Sequence, residues 1–114
     1  MTSVPERDWK VFKTIHPIAL ERFSKQILDE AETLLSEKAK NSHEIYIALY
    51  KLIQRRDKEM AQVFNEYRRS TALLQIAMMY NRELLTEQEF MQFSDETRDR
   101  IARMNEVFRQ NQSD

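Results

Sequence analysis

Two histidines, His16 and His43, are the residues of this sequence best suited to acid–base or metal chemistry. Imidazole changes charge near neutral pH and is the commonest metal ligand in proteins. A metal site also needs further ligands at a defined spacing, and the sequence contains neither Glu-x-x-His nor His-Glu-x-x-His. We therefore predict no catalytic residue, no metal site and no cofactor, and we expect a protein that is not an enzyme.

Arg56 interrupts a stripe of apolar residues that recurs at helical spacing. A buried, unpaired guanidinium costs several kcal/mol, so burial of Arg56 requires a partner. If residues 17–39 and the helix after residue 42 form an antiparallel hairpin, position 56 faces residues 21–25, and Glu21 is the expected partner. We predict a buried polar layer of Arg56, Glu21 and His16 that fixes the register of the helices. A ligand-facing arginine and an exposed one stay open as alternatives.

Two arginine pairs, Arg55-Arg56 and Arg68-Arg69, raise the alternative of an accessory protein that binds nucleic acid. On one helix they would lie near one side, roughly 20 Å apart. Acidic residues are interleaved with them, and the formal net charge of the chain is −1, whereas a surface that follows phosphates normally shows a basic surplus. A third hypothesis is a small-ligand site inside the bundle near His16, Arg56 and Tyr67.

Residues 70–80 are apolar almost all round the predicted helix, so both sides of this segment require cover. One side belongs to the core stripe. The other side consists of Leu73, Ile76, Met79 and Tyr80. A last helix could cover it through Phe90, Phe93, Ile101 and Met104. The alternative, which we favour slightly, is an interface with a second copy of the chain (a homodimer) or with another helical protein.

The elements that must position these residues follow from a composition with no glycine and two prolines in 114 residues. Glycine supplies the positive φ angles of tight hairpin turns and the close backbone approach of phosphate-binding loops. The sequence therefore predicts an all-α protein, residues 1–114 forming a single helical domain. We expect a small antiparallel helical bundle of three to five helices with one long central helix.

Capping patterns predict where the helices begin. Ser3 and Glu6 suggest a first helix, which Pro17 should break or kink near residues 14–16 before it continues to residue 39. Asn41 or Ser42 should cap a long helix that runs to residue 82. Thr86 with Glu89, and then Ser94, predict two more starts. Apolar residues that recur at spacing three and four along these segments predict that the helices pack around one core.

Residues 73–93, LLQIAMMYNRELLTEQEFMQF, resemble the short helix–turn–helix of SHOCT-type C-terminal modules. Those modules pair an apolar helix with a turn similar to GLLTEEEF, and they usually carry glycine where this chain has Glu83. The resemblance implies two helices joined by a capped turn. We carry over no function from it.

The location and partners follow from what the sequence lacks. The chain has no cysteine, which is consistent with a reducing cytoplasm, and no apolar run approaches the ~20 residues that cross a bilayer. We therefore predict a cytoplasmic protein without a membrane partner. The function we expect is that of a small, non-catalytic interaction or regulatory protein that self-associates through its central helix.

Overall fold

The all-α prediction is confirmed by a computed structural model, which describes residues 3–112. The five helices are α1 (Glu6–Leu35), α2 (Ser42–Phe64), α3 (Ala72–Asn81), α4 (Glu87–Phe90) and α5 (Asp95–Gln112), with a 3-10 turn at Arg69–Thr71 before α3. α1 and α2 form an antiparallel hairpin. α3 packs against both of them and against α5.

The start of α1 differs from the predicted capping box. Pro5 occupies the N-cap position, and no side chain caps the helix, so the role expected of Ser3 is wrong. The first turn is held from elsewhere in the fold: Arg69 donates from Nε to the Val4 carbonyl and from Nη1 to Glu6, both at 2.8 Å. A distant arginine therefore satisfies groups at this end of the chain.

Pro17 lies inside α1, which is continuous from Glu6 to Leu35, so of the two predicted alternatives, a break or a kink, the break is wrong. Proline removes one backbone hydrogen bond from a helix and crowds the preceding turn. Phe12 and Ile15 before Pro17, and Ala19 and Phe23 after it, are buried in the same core. Packing on both sides of Pro17 holds the two parts as one helix, which outweighs the local penalty.

The connection between α1 and α2 begins earlier than predicted, because α1 ends at Leu35. The predicted cap of the next helix is confirmed. The Asn41 side chain accepts from the Glu44 amide at 2.8 Å, and Glu44 accepts from the Asn41 amide at 2.9 Å. This reciprocal pair satisfies two donors that a helix start leaves free, and it fixes where α2 begins.

The predicted central helix from residue 42 to residue 82 is wrong, because α2 ends at Phe64 and α3 starts at Ala72. Side chains satisfy the backbone groups that the break frees. Gln75, which is buried, donates to the Val63 carbonyl at 3.2 Å. The Thr71 hydroxyl lies 3.2 Å from the carbonyls of Glu66 and Arg68. Helical periodicity continues through the break, which is why the sequence pattern did not reveal it.

α3 ends in a Schellman motif, which turns the chain toward α4. The Leu84 amide donates to the Met79 carbonyl at 2.9 Å, and the Glu83 amide donates to the Tyr80 carbonyl at 3.0 Å. Glu83 has a φ of 60°, in the left-handed region that favours glycine. The position where SHOCT-type modules usually carry glycine is thus the one position with this backbone geometry among the residues described.

α4 starts at the predicted capping box, which is confirmed: Thr86 and Glu89 each accept from the other's backbone amide. The Glu89 carboxylate also accepts hydrogen bonds from both Nη atoms of Arg22, at 2.6 and 2.9 Å, and Arg22 donates to the Leu84 carbonyl at 2.9 Å. Parallel N–H···O bonds of this kind fix orientation as well as distance. They attach the turn between α3 and α4 to α1.

The start of α5 is built around Asp8, a fully buried carboxylate on α1. Asp8 accepts from the Ser94 amide at 2.8 Å, the Ser94 hydroxyl at 2.7 Å and the Thr97 hydroxyl at 2.6 Å. Burial raises the pKa of Asp8, but the hydrogen bonds from Thr97 and Ser94 outweigh it and hold the pKa below the ordinary value of 3.8. Ser94 opens the last helix as predicted: its hydroxyl accepts from the Thr97 amide at 3.3 Å, and its bonds to Asp8 attach this start to α1.

The core lies where α1, the end of α2, α3 and α5 meet. Its fully buried large side chains include Phe12, Ile15, Phe23, Val63, Ile76, Met79, Leu84, Phe93 and Ile101. All of these lie toward one end of the α1–α2 hairpin. The other end of the hairpin extends beyond the core, so the radius of gyration is 16.8 Å. A compact domain of this size has about 13 Å.

No helix within residues 3–112 is long and apolar enough to cross a membrane.

We expect Asp8→Asn to lower the free energy of unfolding at pH 7 by about 2 kcal/mol, because the amide cannot accept from all three donors. Since the folded pKa of Asp8 lies below its unfolded value, its contribution is present above pH 3.8 and is lost as the pH falls through the folded pKa. Urea titrations between pH 7 and pH 2 should therefore show that the difference in free energy of unfolding between wild type and variant becomes smaller at low pH. The exposed Asp99→Asn is the matched control, and an equal gap at all pH values would contradict the expectation.

We expect Glu83→Gly to stabilise the protein by about 0.5–1 kcal/mol, because glycine adopts φ near 60° without the steric cost that a Cβ imposes. Glu83→Ala keeps the Cβ and should change stability little. Thermal unfolding followed by circular dichroism measures both. Equal melting temperatures for Gly and Ala at this position would show that the left-handed geometry carries no cost here.

Candidate functional site

His16 lies in an aromatic cluster where α1 meets the end of α2. Its ring stacks on Tyr67 with the centroids 4.7 Å apart, and it meets Phe12 and Phe64 edge-on at 5.4 Å. Burial lowers the pKa of His16 below the ordinary 6.5, while a hydrogen bond to the Phe64 backbone acts in the opposite direction. A neutral imidazole packed among rings fits a role in packing.

Arg56 lies between α1 and α2 with its guanidinium over the Phe23 ring, 4.9 Å from the centroid. Its carboxylate partners are Glu59, at 2.8 Å from Nη1, and Glu30. The Nε atom lies 3.1 Å from Glu30 Oε1 but is not aligned for a hydrogen bond. The register of the hairpin is close to the prediction, since Arg56 lies beside Ser24. The expected partner Glu21 is exposed, however, and the acids that reach the guanidinium come from other positions.

The four arginines of the nucleic-acid hypothesis all have carboxylate partners. Arg55 pairs with Glu30 at 3.8 Å, and Arg68 with Glu66 at 3.5 Å. Arg69 pairs with Glu6, as described above. Because α2 ends at Phe64, the two arginine pairs do not share a helix, and the spacing argument for a continuous basic surface no longer applies.

The ligand hypothesis required His16, Arg56 and Tyr67 to meet in one place. His16 and Tyr67 do meet, but Arg56 is two turns of α2 before Phe64, roughly 12 Å along the helix. The small-ligand site is therefore not assembled as predicted. Within the described residues, no group of three or more histidine or acidic side chains is arranged to hold a metal ion.

The four residues predicted for an interface are covered within the monomer. Leu73 is 6% exposed, and Ile76 and Met79 are fully buried. Tyr80 stacks on Phe90 at 3.9 Å and donates to Glu87 at 2.8 Å. The break before α3 turns this segment back onto α1, α2 and α5, so its surroundings match the first of our two alternatives, cover within the monomer, and not the interface that we slightly favoured. These side chains form no exposed patch.

A different apolar surface is exposed on the part of the hairpin beyond the core. We call it the apolar face, and it consists of Leu28 (65% exposed), Leu35 (63%), Tyr46 (63%), Tyr50 (56%) and Ile53 (45%). Leu28 and Leu35 are seven residues apart on α1, and the other three follow at spacing four and three on α2, so each set shares one side of its helix. Half of the large hydrophobic side chains that are exposed within the described residues belong to this face.

The two helices of the apolar face are joined by a groove of about 220 Å³. Leu28 and Ile53 line its edges, and Ile27, Met60 and Arg56 lie between them. Leu28 and Ile53 are therefore at the same level of the hairpin. Apolar side chains make up most of this lining, together with the charged Arg56 and Asp57. Apolar residues, methionine and arginine are typical of the centres of protein interfaces.

The apolar face points away from α3, α4 and α5. Arg22 marks the side of α1 that contacts the turn before α4, and Glu30, eight residues later, lies about 80° around the helix from Arg22 and about 160° from Leu28. Leu28 is about 120° around the helix from Arg22 at about 100° per residue. Glu30 lines the opposite side of the hairpin with Thr33, Ala48 and Arg55. No element in residues 3–112 covers the apolar face.

Sequence reasoning missed this surface although its signal was present. Tyr46, Tyr50 and Ile53 form a second apolar stripe beside the core stripe of α2, and Leu28 and Leu35 do the same on α1. A helix with a wider apolar stripe than one neighbour can bury has surface for another. Residues 70–80 have a higher density of apolar residues, and the sequence pattern therefore favoured that segment as the interface.

No protein-family model matches this sequence, and neither the curated proteins nor the solved structures that were compared gave a match.

We expect Leu28→Gln and Ile53→Gln each to change the free energy of unfolding of the monomer by less than about 0.5 kcal/mol, because exposed positions contribute little to folding. Ile76→Ala, by contrast, should cost about 2–4 kcal/mol through the cavity that it leaves. Urea unfolding at low protein concentration measures all three. A large loss for either glutamine variant would mean that the apolar face is covered within the monomer.

Proposed function

We propose that this protein is a small, non-catalytic interaction or regulatory protein whose docking surface is the apolar face of the α1–α2 hairpin. The observation that carries the proposal is the exposure of five large apolar side chains on one side of a helix pair that extends beyond the core. Soluble monomers rarely leave a contiguous apolar patch of several hundred Å² without a use for it. A helical partner laid along the groove would bury this patch.

The rigidity of the hairpin supports the proposal. Arg56 bridges Glu30 on α1 and Glu59 on α2, and its guanidinium lies over the ring of the buried Phe23. Arg82 of the region after α3 reaches the same Glu59 at 2.9 Å. These contacts fix the spacing of the two helices before a partner arrives, and a surface that is already ordered loses less entropy on binding.

Nucleic-acid binding through Arg55, Arg56, Arg68 and Arg69 is the second candidate, and it is less well supported because carboxylates neutralise these side chains locally. A ligand site near His16, Arg56 and Tyr67 is also less well supported, because His16 and Tyr67 stack on each other whereas Arg56 lines the groove beside Leu28 and Ile53. The absence of enzymatic activity and a cytoplasmic location stay predictions.

Site-specific photo-crosslinking in the cells that produce the protein tests the proposal. A photoreactive phenylalanine analogue replaces Tyr46 on the apolar face or, as the matched control, Lys51 on the opposite side of α2. We expect a discrete adduct after irradiation from position 46 and none from position 51, because only the former lies in the docking surface. No adduct from position 46, or equal adducts from both, would contradict the proposed function.

A further inference from the structure

We propose that the partner on the apolar face is a second copy of this chain, packed across a twofold axis with α1 antiparallel to α1 and α2 antiparallel to α2. This inference rests on the proposed function of the apolar face and names its occupant. In a twofold interface each residue meets a counterpart on the other side of the axis, so the surface must be complementary to itself. Two edges of the apolar face fulfil that condition at the same level of the hairpin.

The α1 edge carries one charge of each sign, placed evenly about Leu28. Lys25 and Glu32 are seven residues apart, share a side of α1, and have Leu28 near their midpoint. Antiparallel packing about Leu28 brings Lys25 of one protomer to the partner's Glu32, and the same contact occurs twice. Parallel packing would place like charges together, which is destabilising. The present contact of Lys25 with Asp29, at 3.0 Å on the surface, is of a kind worth little and exchanges readily.

The α2 edge has the same arrangement about Ile53. Tyr50 and Asp57 are seven residues apart with Ile53 near their midpoint. The Tyr50 hydroxyl accepts from the side-chain amide of Gln54 at 3.0 Å, so the hydroxyl proton of Tyr50 can be donated to another group. Antiparallel packing about Ile53 supplies the partner's Asp57 as the acceptor. Because Leu28 and Ile53 line the same groove, one axis serves both edges.

The size of the surface fits a stable dimer. Five large side chains that are each about half exposed present on the order of 500 Å² of apolar area, and with its rim the face offers on the order of 800 Å² per protomer, which is the standard size of a specific interface. α3, α4 and α5 lie on the other side of the hairpin, so the apolar faces of two copies can meet without these helices colliding.

The first test is the mass of the full chain in solution, by light scattering across a concentration series. We expect twice the chain mass of 13.8 kDa. Leu28→Glu with Ile53→Glu should give a monomer of unchanged helicity, because it buries charge at the axis. Gln26→Glu with Thr33→Glu adds the same charge on the opposite side of α1 and should leave the dimer intact.

The antiparallel register is tested by charge reversal. Lys25→Glu alone and Glu32→Lys alone should each weaken dimerisation about tenfold, since each turns two attractive contacts into repulsive ones. The double variant Lys25→Glu, Glu32→Lys should restore the dissociation constant to within about threefold of wild type, as measured by sedimentation equilibrium. In a parallel dimer neither single variant would change the charge balance, so unchanged constants would overturn this register.

Single-cysteine variants test the position of the axis in a chain that has no cysteine of its own. Leu28→Cys places two thiols together at the axis and should form a disulfide-linked dimer on mild oxidation. Leu35→Cys places them roughly 20 Å apart and should not. Equal crosslinking at both positions would overturn the antiparallel arrangement.

The outcomes separate this inference from the proposed function. A wild-type protein that is monomeric at every concentration overturns the proposal that the partner is a second copy. The proposed function is tested separately by photo-crosslinking, and it fails if position 46 gives no adduct or the same adducts as position 51. A dimer that Leu28→Glu with Ile53→Glu leaves intact overturns the second copy as the occupant of the apolar face.

Discussion

The end of α2 at Phe64 is the constraint on which the rest of the structure depends. A helix that ran on to residue 82 would carry its most apolar segment away from the body of the chain. The break turns that segment back, and α3 becomes the centre of the core. Backbone groups freed by such a break must find other partners. Gln75 and Thr71 supply them from the chain that follows, and Arg69 ties the same region to the N-terminal turn of α1.

Because α3, α4 and α5 all gather at one end of the α1–α2 hairpin, the other end has only its own two helices for cover. A two-helix hairpin buries one stripe of each helix and no more. The second stripes, which carry Leu28 and Ile53, are therefore left exposed by the same arrangement that buries Ile76 and Met79. The core and the candidate docking surface are two consequences of one distribution of helices.

Polar contacts decide how the elements are held in register. Three sets of polar contacts join α1 to the C-terminal half of the chain. Asp8 binds the start of α5, Arg22 binds the turn before α4, and Arg69 binds the first turn of α1. Each joins residues far apart in sequence and satisfies backbone groups as well as charges. Such contacts are specific because leaving a buried donor or acceptor unpaired is costly. Two of them, at Asp8 and Arg22, lie on either side of Pro17, and they add to the core packing that holds α1 as one helix.

Local chemistry was readable from the sequence where the partners lie within one turn. Thr86 with Glu89 is a capping pair whose geometry is set by three residues of spacing, and it is present as predicted. At the start of α2 the sequence left Asn41 and Ser42 open, and the structure has Asn41 as the cap, paired with Glu44. The partner of Arg56 was not readable. An arginine side chain is long enough to reach several positions on the facing helix, and small differences in the hairpin decide between Glu21 and Glu30. The predicted Ser3 cap is absent because Pro5 takes the N-cap position, and Glu6, its expected capping-box partner, accepts from the distant Arg69.

The sequence by itself determined the helical class, most helix starts and the residues that need burial, because glycine content, caps and periodicity act over a few residues. Tertiary structure decided which apolar stripe is buried. The stripes with Ile76 and with Leu28 have the same character in the sequence, and only the positions of α3 and α5 make one of them core and leave the other at the surface. Periodicity records that a side chain needs cover, whereas the fold decides whether the cover comes from the same chain.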